Sequence, residues 1–567
     1  MTGAGMDRIA YEQQLAIDLL RVTHQSFWDV LQHSTARHPD RPAVAMGDDS
    51  WSYRELSDRA LRAAGQLQRL GVERGSRVAF FFHACPEWAV LHYALARLGA
   101  VAVPVNLAFE AAEIRHVLEV SRPELLLTVD RFRGVSFLDK LARVDARLVD
   151  GPVDVPELPG LSRLVVLPLD DRERLTEDDA NTHLVFGGPE VHAAPPELSP
   201  RGVAGASDPA YIVFTSGSTA LPKPALCAAK AFLGSAAGFV HALRMTHEDR
   251  FLAMLPTFHT GGVSCDLSTP HFVGGCADLM GGFSPALVLQ TLERSRSTVT
   301  VGFDTMWSKI MEAPEFGRAD VSSLRRAVLA ATPSYIERLQ EVWRFDLFTT
   351  SYGSTESGTL AAIGPAWVTD PDKRRTTNGI PLPGVDLVVV DPETGQPCPP
   401  GVPGEICFRG WCRVIEYVGM PEETEAAIDE EGYFRSGDYG SFDEDGFLYF
   451  RGRYKMMIKT GGENVAEREV EIFLEQELEP VRFAQVVGVP DPVWGEAVVA
   501  FVELSEDVDS AALRAMAVGK IAKYKIPKLF IPLSADEFPV LANGRPDKGA
   551  LRRMAAERAA GSTSTAP

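Results

Sequence analysis

A mostly parallel α/β sheet system, closed by a β-rich subdomain and followed by a small α+β domain, is the fold class that three features of this chain predict. Its 567 residues exceed what one hydrophobic core organises, so two or more domains are required. In the first two thirds, short apolar runs alternate with amphipathic stretches, the rhythm of parallel strands joined by helices. After Tyr352 the text turns to short strands with close turns, and after Lys455 to a compact mixture of helix and strand.

Taken in order, residues 28–38 are amphipathic, 41–46 extended, 53–70 helical, 77–82 a buried strand, 86–98 helical and 101–105 a second strand. Residues 125–128 and 164–167 continue the series. The stretch 152–209, rich in Pro, Asp and Glu, is expected to hold exposed loops. A strand follows at 211–214. Beyond Tyr352, strands are predicted at 386–390, 404–409, 434–436 and 448–450, with turn sequences at 391–395 and 443–446. The final part reads as a helix at 467–477, strands at 483–489 and 497–504, and a helix at 510–522. Gly561 to Pro567 has no apolar content to order it.

Composition narrows the function. Hydrophobic residues at 45% and charged residues at 23% are those of a soluble globular protein. With 56 Lys+Arg against 77 Asp+Glu the net charge is −21, which disfavours nucleic acid or an anionic membrane as partner. Met1 to Leu20 lacks a secretory signal pattern and no apolar stretch is long enough to span a bilayer, so a cytoplasmic location is expected. The seven cysteines are scattered and odd in number, the usage of reduced structural thiols rather than a zinc site.

Chemistry concentrates in five segments. Thr215, Ser216, Gly217, Ser218 and Thr219, with Lys223 beyond, put hydroxyls, backbone donors and a cation behind a strand, a cradle for phosphate. Then come Tyr352-Gly353-Ser354-Thr355-Glu356, Tyr433-Phe434-Arg435-Ser436-Gly437-Asp438, Arg451-Gly452-Arg453-Tyr454-Lys455 and Gly461-Gly462-Glu463-Asn464. A carboxylate beside phosphate needs a cation between them, so Glu356 points to Mg²⁺ when ATP is present. One carboxylate, Asp438, can accept hydrogen bonds from both hydroxyls of a ribose, and Arg453 adds a donor.

In order and spacing these segments resemble the ANL superfamily of AMP-forming adenylating enzymes, from about Phe27 to about Arg553, and its acyl-CoA ligase branch in particular. The resemblance implies an ANL fold with an N-terminal extension 1–26, a nucleotide and acyl domain 27–454, a hinge at Lys455, a C-terminal domain 456–553 for the CoA step, and a flexible tail 554–567. It implies an AMP moiety, from ATP or acyl-AMP, and coenzyme A as cofactors. Thr355 would then bind the α-phosphate, and Ala331, Thr332 and Pro333 the adenine edge. Gly461, Gly462, Glu463 and Asn464 would border the CoA tunnel. His259, Thr260, Gly261 and Gly262 match the aromatic gate of the acyl pocket, which Phe303, Ser351 and Gly353 would also line. Asp266 lacks the pattern that amino-acid-activating relatives use for an α-amine, so a simple carboxylic acid is expected, and Gly261 and Gly262 would leave room for a bulky one.

Two departures bear on mechanism. The family has glycine where this chain has Ala220 and Pro224, and proline removes a backbone donor. The family's lysine that bridges the substrate carboxylate and AMP is replaced by Arg545, which is larger, planar and forked. Lys548 is a neighbouring alternative. The chain therefore resembles the non-adenylating acyl-CoA ligase type known from platensimycin biosynthesis, which would transfer CoA to an acyl-adenylate supplied by a separate adenylating ligase. A complete ATP-dependent ligase tolerating Arg545, a catalytically idle acyl-adenylate-binding or ligase-binding protein, and a luciferase-type oxygenase remain alternatives.

Overall fold

The computed structural model describes residues 8–150, 153, 155–167, 169, 205–215, 222–454, 457–460, 463–491, 494–542 and 544–562. Two seven-stranded sheets build the large domain. One runs Leu347–Thr349, Arg326–Ala330, Val299–Phe303, Arg250–Leu252, Cys276–Asp278, Pro42–Met46 and Asp49–Ser52. Its neighbours are parallel except for the closing hairpin, whose strand Asp49–Ser52 was not expected. The other runs Glu416–Tyr417, Lys223–Ala228, Pro209–Thr215, Val101–Pro104, Arg77–Phe81, Leu125–Val129 and Arg163–Leu167, parallel from its third strand onward. Parallel neighbours need crossover connections, and Pro86–Leu98 is one of them. Helices Phe27–Arg37 and Tyr53–Arg69 start at Ser26 and Ser52, each closed into a capping box by Asp29 or Glu55.

The β-rich subdomain is an antiparallel sheet of Val385–Val390, Gly404–Gly410, Phe434–Phe442 and Leu448–Arg453. The small domain pairs Val481–Asp491 with one edge of Gly495–Leu504, and Gly495–Leu504 also pairs with Leu529–Pro532 and, at Gly495, with the hairpin Met457–Thr460 and Glu463–Ala466. It has a core of its own, in which Ile458, Val470, Leu474, Val486, Val502 and Phe530 pack together.

Three boundaries differ from expectation. The extension 1–26 contains the helix Arg8–Val22, whose Tyr11, Leu15, Leu19 and Val22 form one buried stripe at helical spacing. Asp18 pairs with His241 at 2.9 Å and Arg8 lies 4.5 Å over the Trp367 ring, so this helix is part of the large domain. The helix predicted at 510–522 ends at Ala517, where Val518 turns extended ahead of Gly519 in the left-handed region. At the other end, Lys548–Ser562 continues past Arg553 with Ala555 fully buried, so the segment from residue 554 begins as packed helix rather than tail. All seven cysteines are free thiols. No described helix is long and apolar enough to cross a membrane.

Candidate active site

Of the predicted residues that are described, Tyr352, Glu356, Asp438, Arg453 and Arg545 come together where the large domain, its antiparallel subdomain and the small domain meet. Asp438 and Arg453 are direct partners in the ladder between Phe434–Phe442 and Leu448–Arg453. Pairing puts their side chains on one face, and Arg453 Nε donates to Asp438 Oδ1 at 2.8 Å. The Tyr352 hydroxyl donates to Oδ2, also at 2.8 Å. Burial pushes the Asp438 carboxyl up and Arg453 pulls it back, while Asp438 raises the guanidinium of Arg453. The result is a buried carboxylate held in one orientation by two donors.

Beside it, Thr355–Ser357 form a single 3₁₀ turn capped by Ser354. A Cβ at Gly353 would lie 1.9 Å from the Thr359 carbonyl oxygen, so only glycine allows this loop. Ser351 offers its carbonyl to Asn378 Nδ2 at 3.0 Å, which ties the strand Ser351–Tyr352 in place. Glu356 Oε1 accepts from the Tyr417 hydroxyl at 2.9 Å, and Lys223 Nζ stands 5.2 Å over the Tyr417 ring. Burial, then Glu356, raises the Tyr417 hydroxyl, which therefore stays a donor. Tyr417 was missed in the sequence because it sits on a two-residue strand with no periodicity to mark it.

Residues 216–220 of the phosphate loop, Lys455, Gly461 and Gly462 lie outside the described residues. The described ends of the phosphate loop face each other, Thr215 pairing with Lys223. Pro224, opposite Phe214, gives the ladder a carbonyl, which accepts from Val418 N at 2.9 Å, and no donor. Glu463 and Asn464 begin the second strand of the small-domain hairpin.

In the segment expected to gate the acyl pocket, Thr260 is buried and His259 is held neutral, its pKa lowered to about 3 by burial and by Arg545. The chain then enters a π-helical turn, Gly262–Ser268, buried throughout. A Cβ on Gly262 would meet the Pro256 carbonyl oxygen at 2.2 Å, and one on Gly261 would meet Leu255 Cδ1 at 2.8 Å. The expectation that these glycines leave room for an acyl group is therefore corrected: protein atoms fill that room. Asp266 Oδ2 accepts from Leu255 N at 2.6 Å and so ties the π turn to the segment before His259.

The small domain delivers Arg545 to this cleft, its guanidinium 5.1 Å over the Phe303 ring. Crowding by protein atoms, then Arg453, lowers the Arg545 pKa, while Asp438, Asp304 and Glu356 oppose that. Arg545 nevertheless keeps contact with solvent. Lys548 is no substitute: it pairs with Glu471 and, at 3.5 Å, with Glu467, and donates to the Val486 carbonyl at 2.7 Å, all within the small domain. Of the segment expected at the adenine edge, Ala331 is part-buried and Pro333 opens the helix Pro333–Trp343, which Thr332 caps. The Thr332 hydroxyl also donates to Glu475 of the small domain, a contact sequence reading did not foresee.

Likeness to known proteins gives the family and the fold. The AMP-binding enzyme model matches residues 31–417, and that of the AMP-binding enzyme C-terminal domain matches 469–545. The indoleacetate–CoA ligase of Aromatoleum aromaticum is 31% identical over 526 residues, covering 92% of this chain and 96% of that one. The crystal structure of the anthranilate CoA ligase AuaEII with anthranoyl-AMP shares the fold with a TM-score of 0.80 at 24% identity, over 95% of this chain and 98% of that one. ATP-bound MatB from Rhodopseudomonas palustris gives a TM-score of 0.75 at 26% identity, over 94% of this chain and 99% of that one.

Proposed function

The chain belongs to the AMP-binding enzymes of the ANL superfamily, in the acyl-CoA ligase branch, and from that premise we propose that it makes an acyl-CoA thioester with its adenylate-forming half-reaction impaired. In the first half-reaction a carboxylate oxygen attacks the α-phosphorus of ATP and pyrophosphate leaves. In the second, the CoA sulfur attacks the acyl carbonyl and AMP leaves. Asp438, with Arg453, would hold the ribose in both. Thr355 would bind the α-phosphate, and Ala331, Thr332 and Pro333 the adenine edge. Glu356 fits one Mg²⁺, which takes one or two carboxylates plus phosphate oxygens, and Tyr417 orients that carboxylate. The metal would neutralise the charge of the leaving pyrophosphate. Lys455 would be the hinge about which the small domain turns, exchanging Arg545 for the loop Gly461 to Asn464 and the CoA tunnel.

The observation that carries the reading is Arg545 itself. A lysine reaching this cleft would offer a point charge to the acid and the α-phosphate; the arginine offers a plane resting on Phe303 with Arg453 beside it. Misplacing such a contact by about 1 Å costs on the order of 10²-fold in rate. The complete ligase is the second reading, favoured by the fact that Arg545 does reach the cleft. Two assays on one preparation separate them: pyrophosphate release from ATP and acid, and thioester formation from synthetic acyl-AMP and CoA. Indoleacetate, the acid in the relative's name, is a reasonable first substrate. Slow release with rapid thioester formation supports impairment, and a separate ligase would then supply the acyl-AMP. Release at an ordinary ligase rate would establish the complete enzyme.

A further inference from the structure

Among the described residues, the closest polar contacts across the seam between the two domains that the reaction does not require converge on one side chain. Glu475 lies on the small-domain helix Glu467–Glu477. One of its carboxylate oxygens, Oε2, accepts from the hydroxyls of both Thr332 and Ser334 of the large domain, the latter at 2.9 Å. The other, Oε1, accepts from Ala484 N of its own domain at 2.9 Å. The carboxylate thus faces the N-terminal end of helix Pro333–Trp343, where backbone N–H groups favour an acceptor. Two further polar contacts across this seam, among the described residues, are looser: Ser308 and Arg338 each approach Glu503 at 3.4 Å. Thr305 donates to the carbonyl of Gly544, next to Arg545, but that bond involves the catalytic segment itself.

We infer that Glu475 is a positioning residue that latches the small domain in the pose that presents Arg545 to the adenylate site. The inference rests on the proposed alternation between two poses. Turning the small domain must break both hydroxyl contacts, while the bond to Ala484 N travels with it, so removal of the carboxylate weakens this pose without disturbing either core. Thr332 links the latch to the adenine edge, since the residue expected beside the base also caps the helix that receives Glu475.

Protonation adds a signature. Burial raises the Glu475 carboxyl to about 7, opposed by Thr332, Arg468, Ala484 N and Ser334, in that order. Of these, Arg468 is the charged group and shares Glu475's helix; Thr332 and Ser334 come from the large domain and Ala484 from strand Val481–Asp491. In the turned pose the carboxyl would regain its ordinary value near 4.5. The latched pose therefore binds the extra proton: its advantage is full at low pH and is lost as pH rises through about 7.

Spin labels at Val342→Cys and Met516→Cys, both exposed positions, report the distance between domains on a Cys398→Ser background, the other thiols being buried. One dominant distance is expected in the otherwise natural chain at pH 6, with a second population rising several-fold by pH 8. In Glu475→Ala the second population is expected at both pH values. Glu475→Gln, whose amide oxygen can still accept, should restore the first distance and remove the pH response. Distributions in Glu475→Ala indistinguishable from those of the natural chain would overturn the inference. The two rate assays above test the proposed chemistry separately, so failure of one leaves the other readable.

Discussion

Asp438 and Arg545 are opposite charges meeting in one cleft, and the chain secures them in opposite ways. Asp438 sits on a ladder strand, buried, with Tyr352 and Arg453 as donors from the same domain. Arg545 comes from the small domain, rests on Phe303, and stays open to solvent. The difference teaches which contacts would survive the proposed turn of the small domain: Asp438 keeps partners that all come from its own domain, and Arg545 has to be delivered.

Breaking the secured partner should have the largest effect. Asp438→Ala is expected to weaken acyl-AMP binding on the order of 10²-fold, about 3 kcal/mol, and to slow both half-reactions. Calorimetry with a non-reactive acyl-AMP analogue checks it, and unchanged affinity would refute the ribose assignment. Changing the delivered partner should divide the reaction instead. Arg545→Lys is expected to raise pyrophosphate release about tenfold, or ~1.4 kcal/mol in barrier, and to leave thioester formation from acyl-AMP unaltered. Equal changes in both steps would mean that Arg545 acts in both poses.

A smaller effect sharpens the contrast at Glu356, where Mg²⁺ is proposed. Tyr417→Phe removes the donor to Glu356 and should cost about 1 kcal/mol, seen as a roughly fivefold higher Mg²⁺ requirement in pyrophosphate release with the CoA step spared. The smallest concerns His259. Its pKa of about 3 keeps it neutral from pH 5 to 8, so His259→Gln should alter KM for the acid while leaving the pH profile over that range unchanged. An inflection near pH 6.5 that disappears in the variant would show that the ring titrates.

Much of this contrast was legible in the sequence, because Asp438, Arg453, Tyr352, Thr355 and Glu356 belong to segments whose residue order carries the chemistry. Those residues do meet. The strand and helix rhythm likewise located both domains, since burial periodicity is a local property. Contacts set by tertiary approach left no such trace. Tyr417 is a lone aromatic on a short strand, and Glu475 is one acid in a helix with several, so neither announces a partner. Lys548 shows the converse: closeness in sequence to Arg545 suggested access to the cleft, but helix Lys548–Ser562 directs it toward Glu467 and Glu471. The helix Arg8–Val22 could have been found, because its four buried positions recur at helical spacing; its polar remainder obscured them.

The π-helical turn Gly262–Ser268 gives this part of the chain one residue of slack. A π turn holds about one residue more than the α turn it replaces, and each residue of an α-helix accounts for roughly 100° of rotation. Shortening the stretch by a single residue would let it relax to an α turn covering about the same rotation, so His259 and Thr260 would keep nearly their direction relative to helix Thr269–Val273, whereas loss of a second residue would swing them by about that angle. Exchange of one side chain for another of similar volume leaves the register alone. Between His259 and that helix, then, the π turn absorbs one residue without turning the segments on either side, so loss of a single residue there should disturb the fold less than the same loss inside helix Thr269–Val273.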